Sequence, residues 1–287
     1  MIKIDKEKCI MCGACIDVCP GMVFEDSSGS MEAKYQKGCI KCYHCVGVCP
    51  VEAVTCDEFA PEEFRPVEGI DAEAKDVRNL ILRKRSVREF KDKEVPKELL
   101  DKLMETAVHA PTGHNARTNH FTVITNRALI DRIDRKMTRN IGNLAKLLDI
   151  RVADAIVKHA AGREQHEMMV AYKEGLERYK KMGPPHDLRM FRGAPVLIIA
   201  HSGPDAVTGK DDSVIALTNL MLDAEANGLG SCWIGFLVGA AKMDPGIKKM
   251  IGVPSKHTVN QAIILGWPRW KYKRMIPYKM RNVKWID

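Results

Sequence analysis

The chain has 287 residues, 45% of them hydrophobic, with a formal net charge of +8. That length suits two domains of unequal size rather than one or three. The charged opening MIKIDKEKCI lacks a signal-type apolar run, and no stretch of about 18 uncharged apolar residues occurs. These features predict a soluble, cytoplasmic protein, without a membrane span, whose ten cysteines bind metal or do chemistry rather than form disulfides.

Eight of those cysteines fall in two copies of one phrase, C-x2-C-x2-C-x3-C-P: Cys9, Cys12, Cys15, Cys19 and Pro20, then Cys39, Cys42, Cys45, Cys49 and Pro50. Three thiolates at i, i+3 and i+6 on a tight loop grip three irons of one cubane, and the fourth, beside a proline, reaches the other cluster. The spacing therefore predicts one [4Fe–4S] centre on Cys9, Cys12, Cys15 and Cys49, and a second on Cys39, Cys42, Cys45 and Cys19. Zinc also takes four cysteines, but its sites pair two knuckles far apart along the chain. The tandem phrase resembles the two-cluster ferredoxin module, over about residues 1–58. Two neighbouring clusters would make a relay for single electrons.

Next comes CDEFAPEEFRPVEGI, acidic and proline-bearing, which predicts a linker at 59–70; Cys56, outside both quartets, reads as a plain free thiol. From Asp71 the pattern predicts a helix with Val77, Leu80 and Ile81 on one side. A second helix starts at Pro96 and stops at Pro111, with Leu99, Leu100, Leu103, Met104, Ala107 and Val108 at helical spacing. Strands are predicted at His120–Thr125, Ala194–Ala200 and Gln261–Pro268. Residues 127–182 read as helical and charged, shaping a substrate pocket, with the Met and Leu residues between 144 and 170 in a core or lid. An apolar helix is predicted at Ser213–Ala226. The alternation implies an α+β sandwich around a central sheet, preceded by the small ferredoxin-like domain.

Within the larger part, RKRSVREF (Arg83–Phe90) packs cations around a serine, a composition suited to phosphate and equally to a solvated face. It is followed in order by APTGHN (Ala110–Asn115), GLGSCWIGF (Gly228–Phe236) and ILGWP (Ile264–Pro268). This order resembles the nitroreductase family of FMN-dependent oxidoreductases, over about residues 75–285, and predicts a flavin domain at 71–287. The resemblance implies that Lys84, Arg85, Ser86 and Arg88 contact FMN, chiefly its phosphate, ribityl chain and pyrimidine edge. It places Pro111, Thr112 and Asn115 along the ring, with the Asn amide toward N5. Ile234 and Gly235 would cover the other side, and Arg274 would return to the phosphate. It also implies a homodimer with the flavin between subunits, for which the Ser213–Ala226 helix is a candidate contact; burial inside one subunit is the alternative. The sequence departs from the family in NARTNHF, where Arg117, Thr118 and Asn119 stand in place of the usual Gln-Pro-Trp run, and in Lys84, where arginine is commoner.

No Rossmann or P-loop phrase is present, which leaves NAD(P)H and an external ferredoxin or similar partner as candidate donors. Residues 1–70 carry seven basic and twelve acidic side chains and the remainder 38 and 25. Two clusters and a flavin phosphate would lower the total charge to roughly +2, which argues against nucleic-acid binding. His109, His114 and His120 read as loop or surface histidines, His44 as exposed, and Cys232 as a buried thiol. Together these features predict an FMN enzyme carrying its own ferredoxin and passing electrons between two clusters and a small acceptor such as a nitro compound, quinone or activated alkene. A non-catalytic redox sensor or electron-transfer subunit is the alternative, and dehalogenase or flavin-fragmenting chemistry is compatible with the same fold.

Overall fold

The computed structural model describes residues 1–67, 71–147, 149–161, 166, 167, 170, 173, 174, 177, 190–276 and 283–286. It divides into two units: Met1–Glu73 with Gly113–Arg117, and Ala74–Thr112 with Thr118–Asp287.

In the first unit β1 (Ile2–Ile4) pairs antiparallel with β4 (Val54–Cys56), joining the two ends of the repeated segment, and β2 (Glu25–Asp26) pairs with β3 (Met31–Glu32). Each copy of the cysteine phrase turns into a short helix, Ala14–Asp17 and His44–Val48. The core is small: Ile2, Val23, Phe24, Met31 and Val54 surround the buried Cys15 and Cys45. Cys56 ends β4, its thiol near the Phe59 carbonyl at 3.7 Å. The segment after it supplies Phe59 and Phe64, which meet edge to face with centroids 6.0 Å apart.

The second unit is built on an antiparallel sheet in the order β5 (Asn119–Ile124), β6 (Val196–Ser202), β8 (Thr258–Gly266), β7 (Gly230–Trp233). Every residue of β6 is buried, because helices cover both faces of the sheet. Leu197, Ile199, Ala262 and Ile264 point to one face, against Ile130, Ile133, Met137 and Leu237. Val196, Ile198, Ile263 and Leu265 point to the other, against Leu100, Leu103, Leu217 and Leu220. This period-two division is what a run of apolar residues gives when both sides of a strand are roofed. Each such fully buried Leu or Ile contributes about 1.5–3 kcal/mol.

The predicted strands are present within a few residues, but β7 had no counterpart in the sequence reading. The register explains one departure: β8 begins at Thr258, ahead of the expected start, because a bulge carries the pairing on past Ala200 and Gln261 to His201 and Val259. Asn260 is the extra residue. Its buried amide donates to Ser202 Oγ (2.9 Å), the Gly209 carbonyl (2.9 Å) and Ser213 Oγ (3.1 Å), tying the Gly209–Ala226 helix to the sheet. That helix buries Ala216, Leu217, Leu220, Met221 and Ala224 within this single chain. Helices also form at Ala74–Arg83, Lys97–Val108, Arg127–Leu147 and Arg151–Ala161. The first leaves Val77 and Ile81 exposed, with Leu80 half-buried. Much of the expected helical stretch to residue 182, including Leu148, Met168 and Met169, lies outside the described residues. Among the described residues no helix is long and apolar enough to cross a membrane.

Beside the bulge, three histidines gather. His201, 4% exposed, shares a 2.9 Å Nδ1 to Nδ1 hydrogen bond with His257, contacts Thr122 Oγ1 through Nε2 at 3.2 Å, and stacks on exposed His120 with centroids 5.7 Å apart. Burial, followed by the charges of His257, His120 and Lys248, lowers His201 to about 4. An unfolded histidine titrates near 6.5, so between pH 6.5 and 4 the unfolded chain holds a proton that the folded chain refuses. Stability is complete above pH 6.5 and falls toward pH 4, by on the order of 3 kcal/mol. Tryptophan-monitored unfolding of the whole chain at a series of pH values should show this slope. His201→Gln should flatten it, and an unchanged slope would exonerate His201.

Candidate functional site

One small cavity is walled by Cys9, Cys12, Cys15 and Cys49, and a second by Cys39, Cys42, Cys45 and Cys19. The fourth cysteine of each phrase thus faces the cavity of the other copy. Equivalent amides approach these two crossing sulfurs: Val23 N–H donates to Cys19 Sγ at 3.4 Å and Ala53 N–H to Cys49 Sγ at 3.2 Å. The other walls are largely apolar, Ile4, Val51, Val54 and Met31 around one cavity and Ile2, Val18, Val23 and Phe24 around the other. Burial raises the thiol of Cys15 and pushes that of Cys45 up to about 12. A thiolate there needs a compensating positive charge, which iron supplies. Four sulfurs around an apolar hollow, with an amide directed at one of them, fit an iron–sulfur cluster in each cavity.

In the second unit, the chain enters the RKRSVREF segment from the Ala74–Arg83 helix. Val87 N–H donates to the Ser231 carbonyl at 3.0 Å, and Ser86 bridges Ser231 beside β7. Glycine permits this approach. A Cβ on Gly230 would stand 2.5 Å from Val87 Cγ2, so Gly228-Leu229-Gly230 serves strand packing at its second glycine, and at its first, with φ 76°, helix termination.

Lys84 is half-buried, and loss of hydration lowers its pKa. Arg85 spends one terminal nitrogen on its own segment, donating to the Leu82 and Lys84 carbonyls at 2.7 Å each. Its Nε is buried with no hydrogen-bond partner among the described residues. A buried donor without an acceptor costs about 1–3 kcal/mol, and an anionic ligand beside this segment would supply one. Arg88 is exposed. Tyr272 reaches the Ser86 carbonyl at 3.5 Å, which brings the segment bearing exposed Arg274 to the same place. Ile234 is buried at the end of β7, its N–H bonded to the Ala262 carbonyl at 2.9 Å, and Gly235 opens the helix to Met243. These residues fit a phosphate-bearing cofactor at the β7 rim.

Pro111 and Thr112 follow the Lys97–Val108 helix. Asn115 belongs to the first unit, and its amide nitrogen donates to the carbonyls of Ile40 (3.0 Å) and Lys41 (2.7 Å). Arg117 also turns there, to Glu58 Oε1 (3.3 Å) and the Lys41 carbonyl (3.2 Å). Sequence reading did not connect Tyr43 and Glu58 with this segment. Cys232 is a buried thiol near the Trp233 carbonyl; His44, His109 and His114 are exposed. A larger cleft of the second unit, about 760 Å³, is lined by Lys242, Lys248, Lys249 and His257 among others, none of them a residue carried over from the family.

The fold and these residues define a protein in two parts, a cysteine-quartet module and an α+β sandwich. Residues 81–267 match the nitroreductase family, and residues 1–50 match the 4Fe-4S dicluster domain. The chain belongs to the nitroreductase family and carries an N-terminal 4Fe-4S domain. Similar proteins include one from Methanothermobacter thermautotrophicus with the provisional name NADH dehydrogenase/NAD(P)H nitroreductase, 26% identical over 198 residues, covering 67% of this chain and 78% of that one. Another of the same name from Archaeoglobus fulgidus is 22% identical over 190 residues, covering 66% and 84%. The fold resembles a nitroreductase with bound FMN from Bacteroides fragilis, with a TM-score of 0.55, 22% identity and coverage of 74% of this chain and 99% of the other. A second with bound FMN, from Desulfitobacterium hafniense, gives 0.53, 20%, 73% and 98%.

Gly230→Ala should cost about 1–3 kcal/mol through overpacking against Val87. Val87→Ala in the same chain should return part of that loss, as denaturant unfolding monitored by tryptophan fluorescence would register. Strictly additive losses would mean that the two positions do not press on each other.

Proposed function

We propose that the protein is an FMN-dependent oxidoreductase in which two [4Fe–4S] clusters exchange single electrons with the flavin, which reduces a small organic acceptor. The observation that carries the reading is the pair of cavities, each walled by a crossed cysteine quartet, on a chain whose remainder belongs to the nitroreductase family. When bound, FMN takes electrons singly or in pairs and gives them up as hydride, joining one-electron carriers to two-electron substrates.

The chain's own residues then have separable roles. Arg85, Lys84, Ser86 and Arg88, with Arg274, would neutralise and orient the phosphate and stabilise negative charge on the reduced ring. Pro111 and Thr112 would line one side of the ring, and Ile234 and Gly235 the other. Nitro compounds, quinones and activated alkenes are the acceptor classes. A one-electron donor such as a ferredoxin suits entry through the clusters, and NAD(P)H, present in the names of the archaeal relatives, suits exchange at the flavin. The FMN bound in the Bacteroides and Desulfitobacterium structures supports the choice of flavin. The exposed Val77 and Ile81, on the side that Leu80 shares, support a homodimer.

Oxygen-free preparations should contain about eight iron and eight sulfide per chain with FMN, and a reduced sample should be reoxidised rapidly by nitroaromatics or quinones. A colourless or zinc-loaded protein overturns the reading, and a flavin inert to every small acceptor reduces it to a sensor. Arg85→Met should weaken FMN retention about tenfold, and Arg88→Ala should weaken retention and slow turnover. Equilibrium flavin titration and steady-state rates would test both; unchanged values remove that arginine from the site.

A further inference from the structure

The two ligand loops are copies, and they differ where an added constraint acts. At the repeat offset, Gly13 (φ 79°) of the first loop corresponds to Tyr43 (φ 57°) of the second. A left-handed tyrosine is strained where glycine is nearly free, so its ring must gain contacts. Phe59 and Phe64 meet it edge-on at 5.4 and 6.3 Å, and the Arg117 guanidinium lies 5.6 Å from its centroid. The Tyr43 hydroxyl donates to Glu58 Oε2 at 2.5 Å, and burial together with that carboxylate keeps the phenol protonated. Glu58 also pairs with Arg117 (3.3 Å) and Lys41 (3.5 Å).

The same loop is held by its backbone. Between Cys39 and Cys42 lie two residues, and both of their carbonyls accept from Asn115: Ile40 at 3.0 Å and Lys41 at 2.7 Å, the latter shared with Arg117 at 3.2 Å. Their counterparts in the first loop, Ile10 and Met11, receive no such side-chain donor among the described residues. Because each peptide is planar and trans, fixing those two carbonyls fixes the N–H groups of Lys41 and Cys42 in the opposite direction. Hydrogen bonds and charge around cluster sulfurs set the reduction potential. The gripping segment is itself strained: His114, Asn115 and Arg117 have φ of 53°, 52° and 50°. Such outliers persist only where surrounding contacts enforce them. It joins the first unit directly after Thr112.

Resting on the proposed function, we infer that Asn115 and Arg117 are positioning residues for the centre of Cys39, Cys42, Cys45 and Cys19. They hold the loop between Cys39 and Cys42 through its two carbonyls and through Glu58. The donors and the Arg117 charge favour the reduced, more negative cluster, so removing either lowers its potential.

The test uses the full-length holoprotein prepared without oxygen, with Asn115→Leu, Arg117→Gln and Arg117→Lys. Electron paramagnetic resonance during a redox titration should show one of the two cluster signals altered in Asn115→Leu and Arg117→Gln, its midpoint more negative, with the other signal and FMN content unchanged. Arg117→Lys should restore most of the potential. The altered signal should be the one that Cys42→Ser perturbs. Selective loss of half the iron from Asn115→Leu, sparing the Cys12→Ser signal, would support the inference equally. Unchanged spectra and potentials, equal shifts in both clusters, loss of all iron, or movement of the Cys12→Ser signal would overturn it. A wild-type protein lacking clusters or flavin defeats the proposed function itself, whereas an intact wild type with Asn115-insensitive clusters defeats only this inference.

Discussion

The first unit depends on the exchange of its fourth cysteines. Cys19 lines the cavity of the second copy and Cys49 that of the first, so neither copy can complete its own quartet. With a core of five non-cysteine side chains and two short strand pairs, the unit has too little apolar area to stand on hydrophobic burial alone. Burial that raises Cys15 and Cys45 opposes the thiolates that iron requires. Cluster binding at these cavities would release protons and couple to folding.

The second unit is organised by the opposite logic. Its strand β6 is buried along its whole length between two apolar layers, so apolar packing holds the sheet in place. What the sheet provides for function is a rim. β7 is short, and its Gly230 lets the cation segment run against it by the Ser86 to Ser231 bridge. Arg85 Nε, buried without a hydrogen-bond partner among the described residues, sits at that rim and not in the core. The apolar layers can carry the cost of one such unsatisfied donor.

Legibility in the sequence follows the range of each interaction. The cysteine phrases were readable because their spacing is local, and β5, β6 and β8 because apolar runs announce them. β7 was not, since Gly230 to Trp233 offers four residues, two of them small, inside a phrase that reads as a turn. The fate of Asn115 was hidden for another reason: its acceptors are backbone carbonyls 75 and 74 positions away, and a carbonyl leaves no trace in residue type. A trace does exist in the replacement of Gly13 by Tyr43 between otherwise similar copies. It has meaning only once φ is known to be positive at both. Likewise the two readings of the Ser213–Ala226 helix could not be separated by periodicity, because burial within the chain and burial in an interface need the same apolar face.

Backbone strain shows where the molecule conforms to something other than its own packing. Among the described residues ten non-glycine residues have positive φ, and nine of them, all but Arg192, lie in the first unit. Met11 and Lys41 sit at matching places inside the ligand loops, and Met22 and Glu52 three residues after the crossing cysteines. A unit so small cannot hold that many unfavourable conformations by apolar contacts. The repetition at matching places indicates that the loops are shaped to present sulfur. His114, Asn115 and Arg117 share the same strain although their chain neighbours on both sides belong to the packed sandwich. They conform to the loop between Cys39 and Cys42, whose Ile40 and Lys41 carbonyls Asn115 engages, and not to the sandwich on either side of them in sequence.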